Sequence, residues 1–170
     1  EDVGGGHQRP CLARGRAGVG WRLAGFDLAL QLLGDVQVAQ HPREGLAQAL
    51  RLADIDVVTA YPIRPYDTVM QAVAKLIANG ELDAEYIVAS SEHDQFEIVK
   101  HASAVGARVF CGSSGVGWMY AMEAIAVTPA LRLPMVALVG NRALDDPGAF
   151  GCEHNDALCV RDLGWMLTWV

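Results

Sequence analysis

The 170-residue sequence lacks three features that would point to common classes of function: a basic excess, a long apolar run and closely paired cysteines. Its net charge of −7 argues against a nucleic-acid surface, because phosphate binding relies on clustered lysine and arginine. Charged residues interrupt every apolar stretch, so we expect no segment that spans a bilayer. The N-terminal Glu1-Asp2 does not begin a basic region followed by an apolar one. No signal peptide is therefore predicted, and the expected location is cytoplasmic.

The four cysteines are poor candidates for metal ligands. None belongs to a Cys-x-x-Cys pair, and the seven-residue spacing between Cys152 and Cys159 matches no common metal site. Together with Cys11 and Cys111, they are predicted to be buried or loop thiols. Any iron–sulfur cluster that the function requires is expected on another polypeptide.

Composition divides the chain into two parts. Residues 1–43 contain five arginines, no lysine and 8 of the 18 glycines, whereas sixteen acidic residues outnumber eight basic ones from residue 44 onward. The head, residues 1–43, is either a flexible, disordered tail or a misassigned gene start; we favour the second and assign it no function. With 52% hydrophobic and 19% charged residues overall, a globular domain is predicted over residues 44–170.

Within that domain, apolar runs typical of buried strands alternate with stretches of helical spacing. Helices are predicted over 44–53, 67–78, 90–105 and 118–126, and strands over 56–60, 86–89, 108–111 and 135–139. This alternation predicts an α/β fold, a doubly wound parallel sheet with helices on both faces. Ligands of such sheets bind beyond the carboxyl ends of the strands, which gives four segments to consider: 61–66, 90–93, 112–117 and 140–146.

These four strand ends carry the motifs AYPIRPYDT, ASSEHD, CGSSGVGW and GNRALDD. In order and spacing they resemble the thiamine-diphosphate pyrimidine-binding domain of the alpha subunit of 2-oxoacid:ferredoxin oxidoreductases, the pyruvate:ferredoxin oxidoreductase family. The YPIRPYDT turn looks like that of the oxalate-oxidising branch. The resemblance covers about three quarters of the chain, and relatives continue further, so the domain 44–170 is expected to be truncated at its C-terminus.

The resemblance implies two central catalytic residues. Glu92 would hydrogen-bond the aminopyrimidine ring and activate the cofactor, which requires a carboxyl group in a mostly apolar crevice. Its structural alternative is an ordinary acid at a helix N-terminus. Arg142, within Asn141-Arg142-Ala143, would bind the substrate carboxylate through its guanidinium fork, the alternative being a surface pair with a following aspartate, Asp145 or Asp146.

Arg64 stands where the family turn has threonine or serine. A second cation opposite Arg142 would favour a small dianion, oxalate; alternatively Arg64 turns toward Asp67, and the substrate is pyruvate or another 2-oxoacid. Asn141 is the third expected substrate-binding residue. The resemblance places the cofactor beside four further residues: Pro62, Ile63, Ser113 and Ser114.

The resemblance also implies partners. Thiamine diphosphate would be shared with a beta subunit that carries the diphosphate and Mg²⁺ site, since no Gly-Asp-Gly segment occurs here. Electrons would pass through 4Fe–4S clusters on an iron–sulfur subunit to ferredoxin. The chain would then be an oxidoreductase fragment that is inactive alone; a non-catalytic remnant or assembly module is the competing interpretation.

The stretch EHNDALCVRDLGW resembles a further family segment. His154, Asp156, Arg161 and Asp162 are predicted to form one structural polar network. Metal binding by Glu153, His154 and Asp156 is the less favoured interpretation, because three such close ligands rarely converge on one ion.

Overall fold

The computed structural model describes residues 42–144 and 153–170. Four strands form the sheet: β1 (Val57–Ala60), β2 (Glu85–Val88), β3 (Val109–Ser113) and β4 (Val136–Val139). The helices are α1 (Pro42–Leu52), α2 (Asp67–Ala78), α3 (Glu92–Ala104), α4 (Gly115–Tyr120), α5 (Met122–Ala130) and α6 (Asn155–Leu158), and a 3₁₀ turn follows at Arg161–Leu163. The expectations for the head up to residue 41, for Cys11 and Cys152, and for Asp145 and Asp146 lie outside the described residues.

The four strands are all parallel, in the order β2-β1-β3-β4. The two central strands are buried along their whole length, whereas the edge strands are partly exposed. A strand that is covered on both faces must be apolar throughout, which is why VVTA and VFCGS read as continuous apolar or small-residue runs. The doubly wound α/β fold predicted from the sequence is confirmed.

A hydrophobic core lies on each face of the sheet. On one face α1 and α2 pack on β1 and β3, around Val58, Val73 and Phe110, and on the other α3, α4 and α5 pack around Phe96, Trp118 and Ile125. Trp118 meets Phe96 edge to face, with ring centroids 5.2 Å apart, a favoured aromatic geometry. Trp118 therefore belongs to the core.

Helix boundaries follow the sequence signals closely. Ser91 caps α3, because its hydroxyl accepts a hydrogen bond from the Asp94 N–H at 3.1 Å. Gly80 and Gly106 follow α2 and α3 with φ of 73° and 94°, the left-handed conformation that commonly ends a helix. The predicted limits of α2, residues 67 and 78, are those of the structure.

Several boundaries differ from the sequence prediction by one or two residues, and two differences bear on the site. The helix predicted over 118–126 is two helices, α4 and α5, which meet at Ala121. Strand β3 continues to Ser113 instead of ending at Cys111, so the first two residues of the GSSGVG segment are strand and its last three are helix. Small residues favour neither state strongly, and pairing with β4 through Gly112 and Ser113 decides the outcome.

No helix in the described part of the chain is long and apolar enough to cross a membrane.

Candidate functional site

The strand order places a switch point between β1 and β3. The chain passes from β1 outward to β2, then returns across the sheet to β3 and continues to β4. In such sheets the carboxyl ends of the two strands beside the switch point open a crevice where ligands bind. The loop after β1, residues 61–66, and the start of α4 after β3 flank this crevice, and side chains from the other two strand ends reach toward them.

Glu92, the first residue of α3, is half-buried and lies against Gly117 in α4. A Cβ atom added to Gly117 would collide with a carboxylate oxygen of Glu92 and would lie 2.7 Å from Cδ1 of Ile63. The carboxyl group therefore occupies a notch that only glycine leaves open, with an apolar side chain beside it. Within residues 42–144 and 153–170, no hydrogen bond or ion pair engages the Glu92 carboxyl group. It is free to bond an incoming group.

Ser113 ends β3, and Ser114 follows it immediately before α4. Both side chains are buried, and neither hydroxyl oxygen has a hydrogen-bond partner. A Cβ at Gly140 would lie 2.5 Å from Oγ of Ser114 and 2.9 Å from Cγ of Pro65, so the ends of β1, β3 and β4 meet here. Buried polar groups normally find partners, and two adjacent orphan hydroxyls are expected where a ligand supplies them.

Arg142 follows β4 and lies over Gly115. A Cβ at Gly115 would be 2.7 Å from Nε of Arg142 and 3.4 Å from its Cζ. Nε is buried and has no hydrogen-bond partner, although this group is always charged and is an obligatory donor. A partly buried guanidinium with an unsatisfied donor is suited to an anionic ligand such as a carboxylate.

Asp156, at 0% exposure, joins the two loops that carry these groups. Its Oδ2 accepts hydrogen bonds from the Gly115 N–H at 3.1 Å and the Arg142 N–H at 3.0 Å. Its Oδ1 accepts from the Asn141 amide and from the Ala157 N–H. The first half of the predicted C-terminal polar network is thus present, because His154 Nδ1 lies 2.5 Å from Oδ1 of the same Asn141.

The second half of that predicted network is wrong. Arg161 and Asp162 pair with each other at 3.0 Å on the surface, with side chains 67% and 80% exposed, and do not join Asp156. Adjacent residues of opposite charge at an exposed 3₁₀ turn satisfy each other locally. No group of three metal-ligating side chains occurs in the described residues, so the metal alternative for Glu153, His154 and Asp156 gains no support.

Arg64 lies at the surface of the loop after β1. It is 89% exposed, and its Nε is 3.7 Å from Asp67 Oδ2, which is the structural alternative given for it above. Asn141 has both ends of its amide engaged within the protein, by Asp156 and His154. The neighbouring Pro62 is exposed, whereas Ile63 lies against the Glu92 notch. Roles for these four residues toward a ligand stay predictions.

A buried polar chain holds α3 to the sheet behind Glu92. Gln95 Nε2 donates to the Gly112 carbonyl at 2.6 Å, and the backbone carbonyl of Gln95 accepts from the Thr59 hydroxyl at 3.0 Å. Tyr66 OH donates to the Thr59 carbonyl at 3.1 Å, and burial raises the pKa of Tyr66 well above its usual value. These bonds fix one turn of α3, and so the first residue of that helix, relative to β1 and β3.

Sequence reasoning missed the part played by Gly115 and Gly117. In the structure these two glycines leave room for Arg142 and Glu92. Two glycines at the start of a helix, where helix propensity opposes them, were the available signal that another backbone or side chain approaches closely.

Fold and site together define the class: a parallel α/β domain whose strand ends at the switch point carry a carboxylate, two hydroxyls and a guanidinium. Comparison with known families specifies it further. Residues 48–170 match the model of the thiamine-diphosphate-binding domain of pyruvate flavodoxin/ferredoxin oxidoreductases. The chain belongs to this family.

Curated relatives agree with that assignment. Pyruvate synthase subunit PorA of Methanocaldococcus jannaschii is 42% identical over 124 residues, which cover 73% of this chain and 32% of that protein. PorA of Thermotoga maritima is 38% identical over 76% of this chain and 33% of its own length. Ketoisovalerate oxidoreductase subunit VorA of Pyrococcus abyssi is 40% identical over 71% of this chain and 30% of its own length. This chain therefore spans about a third of these relatives.

A solved structure shows the same fold. A 2-oxoglutarate:ferredoxin oxidoreductase from Magnetococcus marinus, with 2-oxoglutarate, coenzyme A and succinyl-CoA bound, superposes with a TM-score of 0.54. The superposition covers 63% of this chain and 18% of that one, at 22% sequence identity. At that identity the likeness establishes the fold.

Proposed function

We propose that this chain forms the cofactor-activating half of a thiamine-diphosphate-dependent 2-oxoacid:ferredoxin oxidoreductase. The observation that carries the proposal is the unengaged Glu92 carboxyl group in its glycine notch, together with the orphan Arg142 donor at the same edge of the sheet. An enzyme of this class removes carbon dioxide from a small 2-oxoacid and passes two electrons to ferredoxin. Relatives named for pyruvate and ketoisovalerate support the substrate class.

The residues present fit the cofactor's pyrimidine ring. That ring needs a carboxylate partner, an apolar wall and nearby polar groups, and the crevice offers Glu92, Ile63 and the hydroxyls of Ser113 and Ser114. Thiamine diphosphate, when bound, supplies an electron sink for the negative charge left by the departing carbon dioxide. Glu92 would hold a proton at the ring nitrogen that its carboxyl group faces.

Arg142 would orient the substrate. Its guanidinium offers two parallel donors to one carboxylate, and Nε, buried and unpartnered, gains a bond when the anion binds. Fixing the carboxylate would also fix the adjacent keto carbon, which contributes to the rate by orientation alone.

The proposed enzyme needs further polypeptides. The described residues contain no cluster of metal-ligating side chains, and binding a magnesium diphosphate requires carboxylate oxygens directed at the ion. We propose that a beta subunit supplies that site, that an iron–sulfur subunit carries the 4Fe–4S clusters, and that the complex works in the cytoplasm.

The complete complex that contains this chain tests the proposal. Reduction of methyl viologen would be followed with pyruvate, 2-oxoisovalerate or 2-oxoglutarate, with coenzyme A and thiamine diphosphate present. We expect turnover of at least one 2-oxoacid and its loss when thiamine diphosphate is omitted. If a folded, assembled complex reduces no acceptor with any of these or with oxalate, the chain is a non-catalytic assembly module and the proposal fails.

Oxalate is the second candidate substrate, and Arg64 is the observation that favours it. Arginine there would add a positive charge to a crevice that already holds Arg142, and oxalate is the smallest dicarboxylate. The contact with Asp67 at 3.7 Å offsets part of that charge, and such exposed pairs are weak. Pyruvate-type substrates are therefore our first choice.

Replacing Arg64 by serine separates the two candidates. If oxalate is the substrate, we expect Arg64→Ser to lower kcat/KM for oxalate at least tenfold. If a 2-oxoacid with one carboxylate is the substrate, the same variant would leave its kcat/KM within about twofold. Arg51→Ser, at an exposed position in the last turn of α1, is the matched control for loss of a surface arginine.

A further inference from the structure

Asp156 accepts four hydrogen bonds near the crevice and has no role in the proposed chemistry. It lies behind Arg142 and is buried at 0% exposure. Two of its donors belong to different strand ends: the Gly115 N–H at the start of α4, after β3, and the Arg142 N–H after β4. A single carboxylate oxygen, Oδ2, accepts both bonds.

This arrangement fixes the distance between the start of α4 and the Arg142 loop, beyond the last bond of the sheet, which runs from the Gly140 N–H to the Ser113 carbonyl at 2.9 Å. The Arg142 guanidinium packs on the face of Gly115, where a Cβ would lie 2.7 Å from Nε. The backbone amides of the same two residues converge on one oxygen atom of Asp156. Any drift of one loop relative to the other would therefore move the guanidinium off Gly115.

We propose that Asp156 is a positioning residue for the 2-oxoacid-binding arginine, and that it acts by clamping the Arg142 loop to Gly115. This inference rests on the proposed function, because it presumes that Arg142 binds the substrate carboxylate. Asn141 belongs to the same clamp. Its side chain donates to Asp156 and faces His154, so its role is to hold the loop and the substrate contact falls to Arg142 alone.

The chemistry of the clamp requires a carboxylate. All four groups that face Asp156 are donors, and a carboxylate is an acceptor on both oxygens. An asparagine at this position would turn an NH₂ group toward two N–H donors, whichever way its amide is placed. Rotation of the Asn141 amide would relieve one of these conflicts at the expense of its contact with His154.

Asp156→Asn in the complete complex tests the inference, with Asp162→Asn as the matched control from the same segment. Asp162 is 80% exposed and pairs with Arg161. We expect Asp156→Asn to raise KM for the 2-oxoacid at least tenfold and to lower kcat less than threefold. Deuterium exchange at the reactive carbon of bound thiamine diphosphate, which depends on Glu92, should change by less than twofold. Asp162→Asn should leave all three quantities unchanged.

A double-mutant cycle with Arg142→Met separates positioning from general damage. If Asp156 acts through Arg142, adding Asp156→Asn to Arg142→Met raises KM no further. Multiplicative effects of the two substitutions on KM would overturn the inference. So would a slowing of deuterium exchange at the cofactor's reactive carbon that equals the loss of turnover. If the complex with Asp156→Asn fails to assemble, Asn141→Ala is measured instead, because it removes one bond of the clamp. A KM of that variant within experimental error of the wild type would likewise overturn the inference.

Failure of the proposed function is distinguishable from failure of this inference. A wild-type complex without activity toward any 2-oxoacid or oxalate refutes the proposed function. The clamp is still tested by amide hydrogen exchange: Asp156→Asn should speed exchange at Gly115 and Arg142 at least tenfold, and Asp162→Asn should not. Unchanged exchange at both amides would overturn the clamp.

Discussion

Gly117 and Gly115 each leave space for a charged side chain from another strand end, Glu92 in one case and Arg142 in the other. At the scale of single residues, the site depends on glycine at these two positions as much as on the charged groups, because any side chain there would displace them. Glycine is unfavourable in a helix by about 1 kcal/mol relative to alanine. Gly117 thus trades helix stability for access to the crevice, whereas Gly115, with φ of 49°, also needs glycine for its backbone conformation.

Gly117→Ala is expected to lower the rate of 2-oxoacid oxidation about 100-fold, because the added Cβ displaces the Glu92 carboxyl group and Ile63 and misplacement of about 1 Å costs that much. The fold should survive, since alanine favours a helix. Activity and circular dichroism of the same preparation would be compared.

Gly80→Ala is the control for this prediction. Gly80 has φ of 73° and no atom within 4 Å of an added Cβ, so alanine there should cost about 1 kcal/mol of stability and leave the rate unchanged. Full activity of Gly117→Ala would show that Glu92 does not need the notch.

Buried ionisable groups predict how stability depends on pH. Burial raises the pKa of the Cys111 thiol and of the Tyr66 hydroxyl well above their ordinary values of 9.0 and 10.0. Below pH 9 both groups are neutral in the folded and unfolded chain. As the pH rises above 9, the unfolded chain ionises first, so the free energy of unfolding falls.

Thermal unfolding between pH 8 and pH 10.5 measures this effect. We expect the melting temperature to fall above pH 9, and Cys111→Ala to make that fall less steep between pH 9 and pH 10. Cys111→Ala should also lower stability at pH 8, through the cavity it leaves in the core. An identical pH slope in the variant would contradict the assignment to Cys111.

At the scale of secondary structure, α3 carries the most demanding position, because Glu92 is its first residue. The Ser91 hydroxyl caps the helix through the Asp94 N–H, and the Asp94 carboxylate accepts bonds from the Ser90 N–H and hydroxyl. Those bonds lower the pKa of Asp94. The contribution of the Asp94 carboxylate to the stability of the fold is therefore present at neutral pH, and it is lost as the pH falls through the pKa of Asp94 in the folded chain.

Ser91→Ala is expected to cost about 1 kcal/mol of stability and to loosen the first turn of α3. Ser91→Asn, which retains a capping acceptor, is the control and should cost less than half as much. Chemical denaturation measures both variants. Equal losses would show that the serine hydroxyl acts other than as a cap.

The sequence predicted these elements because their signals are local: a capping serine before α3, glycines after α2 and α3, a β-branched run in β1 and a short apolar run in β3. It did not predict the break at Ala121, since Met119 and Met122 continue a helical pattern across it. That break follows from packing of α4 and α5 on the same core around Trp118 and Ile125, which is a tertiary effect.

At the scale of the whole molecule, the strand order β2-β1-β3-β4 brings four distant segments to one edge. Alternation of strands and helices was enough to predict that the segments share an edge. It was not enough to predict which side chains meet, because the contacts among Gly115, Arg142 and Asp156 join residues 14 to 41 positions apart. Alternation likewise could not predict whether Arg64 turns toward Arg142 or toward Asp67, and in the structure its exposed side chain lies beside Asp67.

The central claim, that Glu92 activates thiamine diphosphate, is tested most directly by deuterium exchange at the reactive carbon of the bound cofactor. The measurement uses the complete complex and compares Glu92→Gln with Glu44→Gln, which removes a first-turn acid from α1 and reproduces any helix-dipole effect. We predict that Glu92→Gln slows the exchange at least about 100-fold and that Glu44→Gln leaves it unchanged. Exchange at the wild-type rate in the Glu92→Gln complex would contradict the account.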